Sequence, residues 1–240
     1  MKARIEKMLN VNTRWMWVGT FHALCARILR QEGDTFGLGR DFLIYDDGDC
    51  RALIKRALAE LNLDQEEKTY HPAAVQAAIS DAKNKLIPSN DYLTSAEDEW
   101  TRNVGHVYRR YQTMLKDNHA LDFDDLICKT VELFKKDPET LEFYQRKFQY
   151  IMVDEYQDTN GAQYELVTLL AAKHRNLCVV GDDDQCLVEG TLITTKDGTK
   201  KIEDLKCGDN ILVAAGNGET AILPITDISK KQYTNEVIKV

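Results

Sequence analysis

Residues 150–185 constrain this 240-residue chain more tightly than any other stretch. Tyr150-Ile151-Met152 is a short apolar run that reads as the end of a buried strand. It opens into Val153-Asp154-Glu155-Tyr156-Gln157-Asp158-Thr159-Asn160. Leu177-Cys178-Val179-Val180 is a second such run, ending in Gly181-Asp182-Asp183-Asp184-Gln185. Between them, Tyr164-Glu165-Leu166-Val167-Thr168-Leu169-Leu170-Ala171 is apolar on nearly all sides, as a crossover helix packed on a sheet must be. The order strand, acidic loop, helix, strand, acidic loop calls for parallel strands with both loops on one sheet edge. Open α/β sheets bind their ligands in the crevice at that edge. A lone Asp-Glu pair also reads as a solvated turn. Two acidic loops on one edge point instead to a site, where one carboxylate can hold Mg²⁺ through its water shell and another can orient an attacking water.

Bulk composition narrows the class without naming a function. The length allows a real core and one or two domains. The 43% apolar and 29% charged residues are those of an ordinary soluble protein. No apolar run approaches the roughly 18–20 residues needed to span a bilayer, and Met1-Lys2-Ala3-Arg4-Ile5-Glu6 lacks the apolar core of an export signal. Six cysteines without a Cys-x-x-Cys pair or a His cluster give neither a metal site nor a disulfide framework. Cys25, Cys50, Cys128 and Cys178 read as buried thiols, which suits a reducing cytoplasm. The net charge of −8 is unevenly spread: residues 1–30 carry six Lys+Arg against one Glu, while 31–185 hold the acidic excess. A basic leading segment on an acidic body suits local phosphate contact as well as it suits a solvated helix.

Periodicity places the remaining elements. Residues 1–9 read as a helix and Trp15-Met16-Trp17-Val18 as a strand leading into Gly19-Thr20-Phe21-His22. Phe21, Leu24, Cys25, Ile28 and Leu29 keep a helical period through Arg30. Leu53, Ile54, Ala57, Leu58 and Leu61 form one apolar stripe, and Val104, Val107, Tyr108, Tyr111 and Leu115 another. Pro72 and Pro138 fit first helical positions. Lys83, Lys85, Arg109 and Arg110 lie in this helical stretch and can either touch phosphate or face solvent.

Four segments resemble, in order, those of UvrD/Rep/PcrA-type superfamily 1 DNA helicases. Asp154-Glu155-Tyr156-Gln157-Asp158-Thr159-Asn160 is similar to the family's Walker B motif, and Gly181-Asp182-Asp183-Asp184-Gln185 to the motif that follows it. Gly19-Thr20-Phe21-His22-Ala23-Leu24-Cys25-Ala26-Arg27-Ile28-Leu29-Arg30 resembles a DNA-contacting segment, and Leu121-Asp122-Phe123-Asp124-Asp125-Leu126-Ile127 a further family stretch. The resemblance implies a RecA-like parallel sheet with an inserted all-helical subdomain. It implies ATP and Mg²⁺ as cofactors, with Asp154 on the metal, Glu155 on the water and Gln185 sensing the γ-phosphate. Thr20, Phe21 and His22 would meet single-stranded DNA, and the partners would be single strands and single-/double-strand junctions. Residues 1–30 and 119–185 would form the motor domain, and 31–118 the helical insertion.

After Gln185 the texture changes. Short β-prone runs are split by Asp197-Gly198, Gly208-Asp209 and Gly216-Asn217-Gly218, which are turn signals. Cys186-Leu187, Gly190-Thr191-Leu192-Ile193, Asp197-Gly198, Ile202-Glu203-Asp204-Leu205, Cys207-Gly208-Asp209 and Ile211-Leu212 together resemble the N-terminal splicing block of an intein, a β-rich Hint-type fold. Residues 186–240 would then be intein, with Cys186 as the nucleophile that converts the Gln185–Cys186 amide to a thioester. No Gly-x-x-x-x-Gly-Lys-Ser/Thr stretch occurs in the 240 residues, nor a Thr-x-x-His block after Cys186. The expectation is a fragment of a DNA helicase precursor, inactive alone, interrupted by the start of an intein. The alternatives are a helicase–nuclease subunit sharing these motifs and a non-catalytic DNA-binding or interaction remnant.

Overall fold

The computed structural model describes residues 2–9, 13, 16–34, 37–66, 69–181, 190–196, 198–216, 219–226 and 228. The chain divides into two compact units, Met1–Gly181 and Asp182–Val240.

The first unit is built from capped helices. After α1 (Lys2–Leu9), Thr20 caps α2 (Phe21–Glu32) by accepting the Ala23 N–H at 3.2 Å. A short strand β1 (Leu43–Ile44) precedes α3 (Asp47–Glu60), whose start carries a reciprocal Asp46/Asp49 capping box. Pro72 opens α4 (Pro72–Asn84), as its fixed φ favours. The short α5 (Ser89–Thr94) packs on α6 (Glu99–Asp117). Strand β2 (Ala120–Leu121) leads into α7 (Phe123–Lys136), again behind a capping box, Asp122/Asp125. Asp137 both ends α7 and caps α8 (Pro138–Lys147). Strand β3 (Ile151–Val153), α9 (Gly161–Ala171) and β4 (Leu177–Val179) complete the unit.

The two predicted apolar stripes face inward, except that Leu61 at the end of the first is exposed. Ile54, Ala57 and Leu58 of α3 meet Val104, Val107, Tyr108, Tyr111 and Leu115 of α6 and Val75 and Ile79 of α4 in one core. A second core joins Cys25, Ile28 and Leu29 of α2 to α7, Tyr144 of α8 and Leu166 and Leu170 of α9. Strands are few. β1 pairs with β2 and β3 with β4, each pair parallel, and α9 crosses between the latter as the sequence requires.

Several expectations need correction. Met16–Val18 carries no strand, and Trp15 lies outside the described residues. The Trp17 ring is held instead between cations, with Arg27 3.9 Å and Lys147 4.6 Å from its centre. The β3–β4 pair is open rather than buried on one face: Val153 points into the protein, but the alternating Met152 is 75% exposed, as is Tyr150 in large part. Cys178 on β4 shares that face and is an exposed thiol, whereas Cys25 and Cys50 are buried and Cys128 is half-buried. Burial pushes the Cys25 and Cys128 thiols up to about 12 and Cys50 to about 11, so all three stay protonated.

Lys83 makes no surface phosphate contact. It is 2% exposed, with its ammonium 2.6 Å from Asp122 and 2.9 Å from Asp125. Tyr111 donates to Asp122 at 2.8 Å, and the Gln112 amide donates to Asp125 at 3.1 Å. Burial alone would lower the Lys83 value, but Asp125 and Asp122 together raise it. Burial pushes Asp122 up, yet Lys83 outweighs it and holds this carboxyl low; at Asp125 burial wins and the value is raised. Arg110 is likewise occupied, 2.6 Å from Glu60, while Arg109 stays exposed.

Among the described residues the second unit is a four-stranded antiparallel sheet. Strands β5 (Leu192–Thr195), β6 (Gly198–Lys201), β7 (Asn210–Gly216) and β8 (Glu219–Pro224) lie in the order β6-β5-β7-β8. Thr195 faces Gly198 across a tight hairpin in which Gly198 takes φ +121°, a conformation that side chains resist. Val237-Ile238-Lys239-Val240, a run that reads as a strand, lies outside the described residues.

The buried ammonium yields a stability prediction. Lys83→Met leaves two carboxylates in the interior and should cost about 3–5 kcal/mol in urea unfolding at neutral pH. The pH dependence should also shift, because in the wild type the raised Asp125 value, which costs stability as pH rises, already opposes the lowered Asp122 value. In the wild type the low Asp122 value adds stability that is complete above the ordinary aspartate range and is lost as pH falls through the lowered value. Without Lys83, both carboxyls fold best protonated, so the variant should gain stability between pH 7 and 5. Equal stabilities with parallel pH profiles would show that the pair carries no such weight.

Candidate functional site

The acidic loop forms where β3 stops. Val180 N–H donates to the Val153 carbonyl at 2.8 Å and Tyr156 N–H to the Val180 carbonyl at 2.9 Å, so β4 holds both sides of the Asp154-Glu155 step. Both carboxylates are exposed, and Asp154 accepts the Glu155 N–H at 3.1 Å. Glu155 adopts φ 52°, ψ 44°, the left-handed region. A side-chain-bearing residue there costs on the order of 1–3 kcal/mol unless its surroundings impose it. Gln157 is part of what imposes it, donating to the Glu155 carboxylate at 2.8 Å. The chain then makes a 3-10 turn at Tyr156–Asp158, closed by Thr159 Oγ1 donating to the Tyr156 carbonyl at 2.7 Å. Asn160 ends the loop as the cap of α9.

The second acidic loop begins against the first. A Cβ built on Gly181 would lie 2.9 Å from the Gln157 amide oxygen, the tip of a flexible side chain, so the start of the second loop lies close against the first. Gln185 and Cys186, with Asp182–Asp184, lie outside the described residues. Among the described residues no group of three metal-binding side chains converges. A Mg²⁺ held through one or two carboxylates, phosphate and water asks for no more than Asp154 and Glu155 supply.

At the start of α2, Thr20 is exposed and occupied as a cap, and Phe21 is half-buried at the edge of the second core. His22 meets a partner that periodicity did not single out: its ring lies edge-on to Phe123, 5.6 Å away at 84°. Phe123 is the first residue of α7 and is 48% exposed. In the sequence it stands out only as part of the stretch 121–127, because nothing local to an aromatic beside a capping aspartate shows that it stays half-exposed. Beside Phe123 lies a cavity of about 140 Å³ lined by Asp47, Ser80, Asp122 and Asp124. Burial raises the Asp124 carboxyl, partly offset by the Ser80 hydroxyl. Such a lining repels phosphate. What this face offers a ligand is the apolar Phe123 ring.

Residues 1–188 match the UvrD/REP helicase N-terminal domain. The chain belongs to this helicase family. Over 187 residues it is 50% identical to the ATP-dependent DNA helicase PcrA of Staphylococcus epidermidis and 49% identical to that of Staphylococcus aureus. Each match covers 78% of this chain and 25% of the relative, so the chain spans a quarter of the length of these proteins. The UvrD/REP domain thus accounts for the mixed helices and small parallel sheets of the first unit. Among the described residues no helix is long and apolar enough to cross a membrane.

Two stability measurements probe the geometry of this UvrD/REP domain. Glu155→Gly removes the left-handed penalty and should raise unfolding stability by about 1 kcal/mol. Thr20→Ala removes a cap and should lower it by about 0.5–2 kcal/mol. A Glu155→Gly variant less stable than the wild type would mean that the Gln157 bond matters more than the strain.

Proposed function

We propose that the protein containing this chain is an ATP-dependent DNA helicase or translocase acting on single-stranded DNA and its junctions with duplex. The observation that carries this reading is the strained Glu155 beside Asp154 at the end of a parallel strand, within a chain half identical to named DNA helicases. ATP with Mg²⁺ would supply the phosphoryl group that is cleaved. Asp154 would hold the metal, Glu155 would orient the water through its Gln157-fixed carboxylate, and Gln185 would sense the γ-phosphate. The β3–β4 pair would belong to the RecA-like sheet of a motor domain to which residues 1–30 and 119–185 contribute, with 31–118 as the helical insertion.

The DNA-binding reading rests on the aromatic pair. Thr20 would present the start of α2 to phosphate, and His22 with Phe123 would offer a ring face to a base. Phe123 would then join Phe21 as a stacking residue on this face.

Residues 186–240 are proposed to be the N-terminal part of an intein. Supporting this are the end of the family match at residue 188 and the antiparallel hairpins of the second unit. Cys186 would attack the Gln185 carbonyl, forming a thioester and releasing its own amide nitrogen as an amine.

Three tests follow in the full-length protein containing this chain. Glu155→Gln should retain nucleotide binding and lose DNA-stimulated turnover; a fully active variant would overturn the assignment. Phe123→Ala should weaken oligo(dT) binding by about 1–3 kcal/mol while leaving the melting temperature within a few degrees. Unchanged affinity would remove the stacking role. For the junction, dithiothreitol should cleave a precursor with a complete intein between Gln185 and Cys186. Cys186→Ala should abolish that cleavage while Cys207→Ala spares it, with mass spectrometry locating the break; a product ending elsewhere would sink the intein reading.

A further inference from the structure

The last turn of α4 is gripped from two sides. On one side, the Lys83 ammonium binds Asp122 and Asp125, and the Cys128 thiol donates to the Lys83 carbonyl at 3.2 Å. Asp122 is the cap of α7 and the residue before Phe123. On the other side, the Asn84 amide oxygen accepts from the Asn160 side chain at 2.7 Å. Asn160 uses its own oxygen to accept the Gln163 N–H at 2.9 Å, so one side chain ends the acidic loop, caps α9 and reaches α4. The backbones also close in: a Cβ on Gly161 would sit 3.0 Å from the Asn84 carbonyl oxygen.

We propose that Asn84 is a positioning residue that couples single-stranded DNA on the His22–Phe123 face to the acidic loop 154–160. The inference rests on the functional reading above and adds a residue and a route to it. The two links differ in strength. Separating the Lys83 ammonium from two buried carboxylates is costly, so α4 and the start of α7 move as one piece. Between α4 and the loop, the polar link is a neutral amide–amide hydrogen bond, which can be lost without exposing a charge. A shift of Phe123 on binding a base is therefore carried rigidly to Asn84, and Asn84 passes it to Asn160, six residues beyond Asp154. Only an acceptor is required at position 84. Aspartate meets that requirement and leucine, of similar volume, does not.

The test uses the full-length protein containing this chain, oligo(dT) and ATP. Asn84→Leu should keep DNA-free ATP turnover and oligo(dT) affinity within about twofold, yet lose at least about threefold of the stimulation by DNA, in line with couplings carried by packed networks. Asn84→Asp should restore the stimulation, which a merely structural defect would not allow. Gly161→Ala, which keeps both amides but forces α4 and α9 apart, should also lose stimulation and decides the matter if Asn84→Leu does not fold. Full stimulation in either Asn84→Leu or Gly161→Ala would overturn the proposal, as would equal loss of DNA-free and DNA-stimulated rates. A wild-type protein that DNA does not stimulate would instead overturn the functional reading itself.

Discussion

One buried cation organises the first unit. The Lys83 ammonium sits where α4, α6 and α7 converge, and every polar group around it is committed: Asp122 to Lys83 and Tyr111, Asp125 to Lys83 and Gln112. An ammonium and two carboxylates are poor sources of stability compared with apolar packing, since each must be stripped of water. They are good sources of uniqueness. An apolar helix face tolerates slippage, but three charges with fixed distances accept one arrangement. The register between the helical stretch and the helix that presents Phe123 is therefore set by electrostatics rather than by the two hydrophobic cores on either side.

The acidic loop shows the opposite economy. Asp154 and Glu155 are exposed, their backbone is strained, and the restraint comes from short hydrogen bonds within the loop and from β4. Strain held in place by neighbours, at the open end of a parallel strand pair, is a common signature of a prepared site. The loop is thus restrained by hydrogen bonds rather than by burial.

Much of this was legible from the residues alone. The strand–loop–helix–strand order at 150–180 needed only apolar runs and a crossover helix, and both proline-led helices followed from φ preferences. What escaped detection depended on three dimensions. Lys83 reads like any basic residue on a helix, because nothing local reveals that Asp122 and Asp125, some forty positions away, will enclose it. Phe123 stood in the sequence only as one residue of the stretch 121–127, and its exposure and its His22 partner depend on packing. Trp17 looked like a strand residue by β propensity, yet two cations claim its ring before any neighbouring strand can. The open face of β3 and β4 was misread because apolar runs report affinity for an interior without saying whether that interior is present.

That open face has a practical consequence. Among the described residues β3 and β4 pair only with each other, leaving a free backbone edge on each, flanked by Tyr150, Met152, Val179 and Val180. Unpaired strand edges next to apolar side chains recruit strands from other molecules. Concentrated solutions of this chain by itself should accordingly self-associate through sheet extension, and the exposed Cys178 thiol on β4 would then be brought near its copies and able to lock them together on oxidation. Handling the 240 residues in isolation calls for reducing conditions and dilution for a reason written into the two strands that frame the acidic loop.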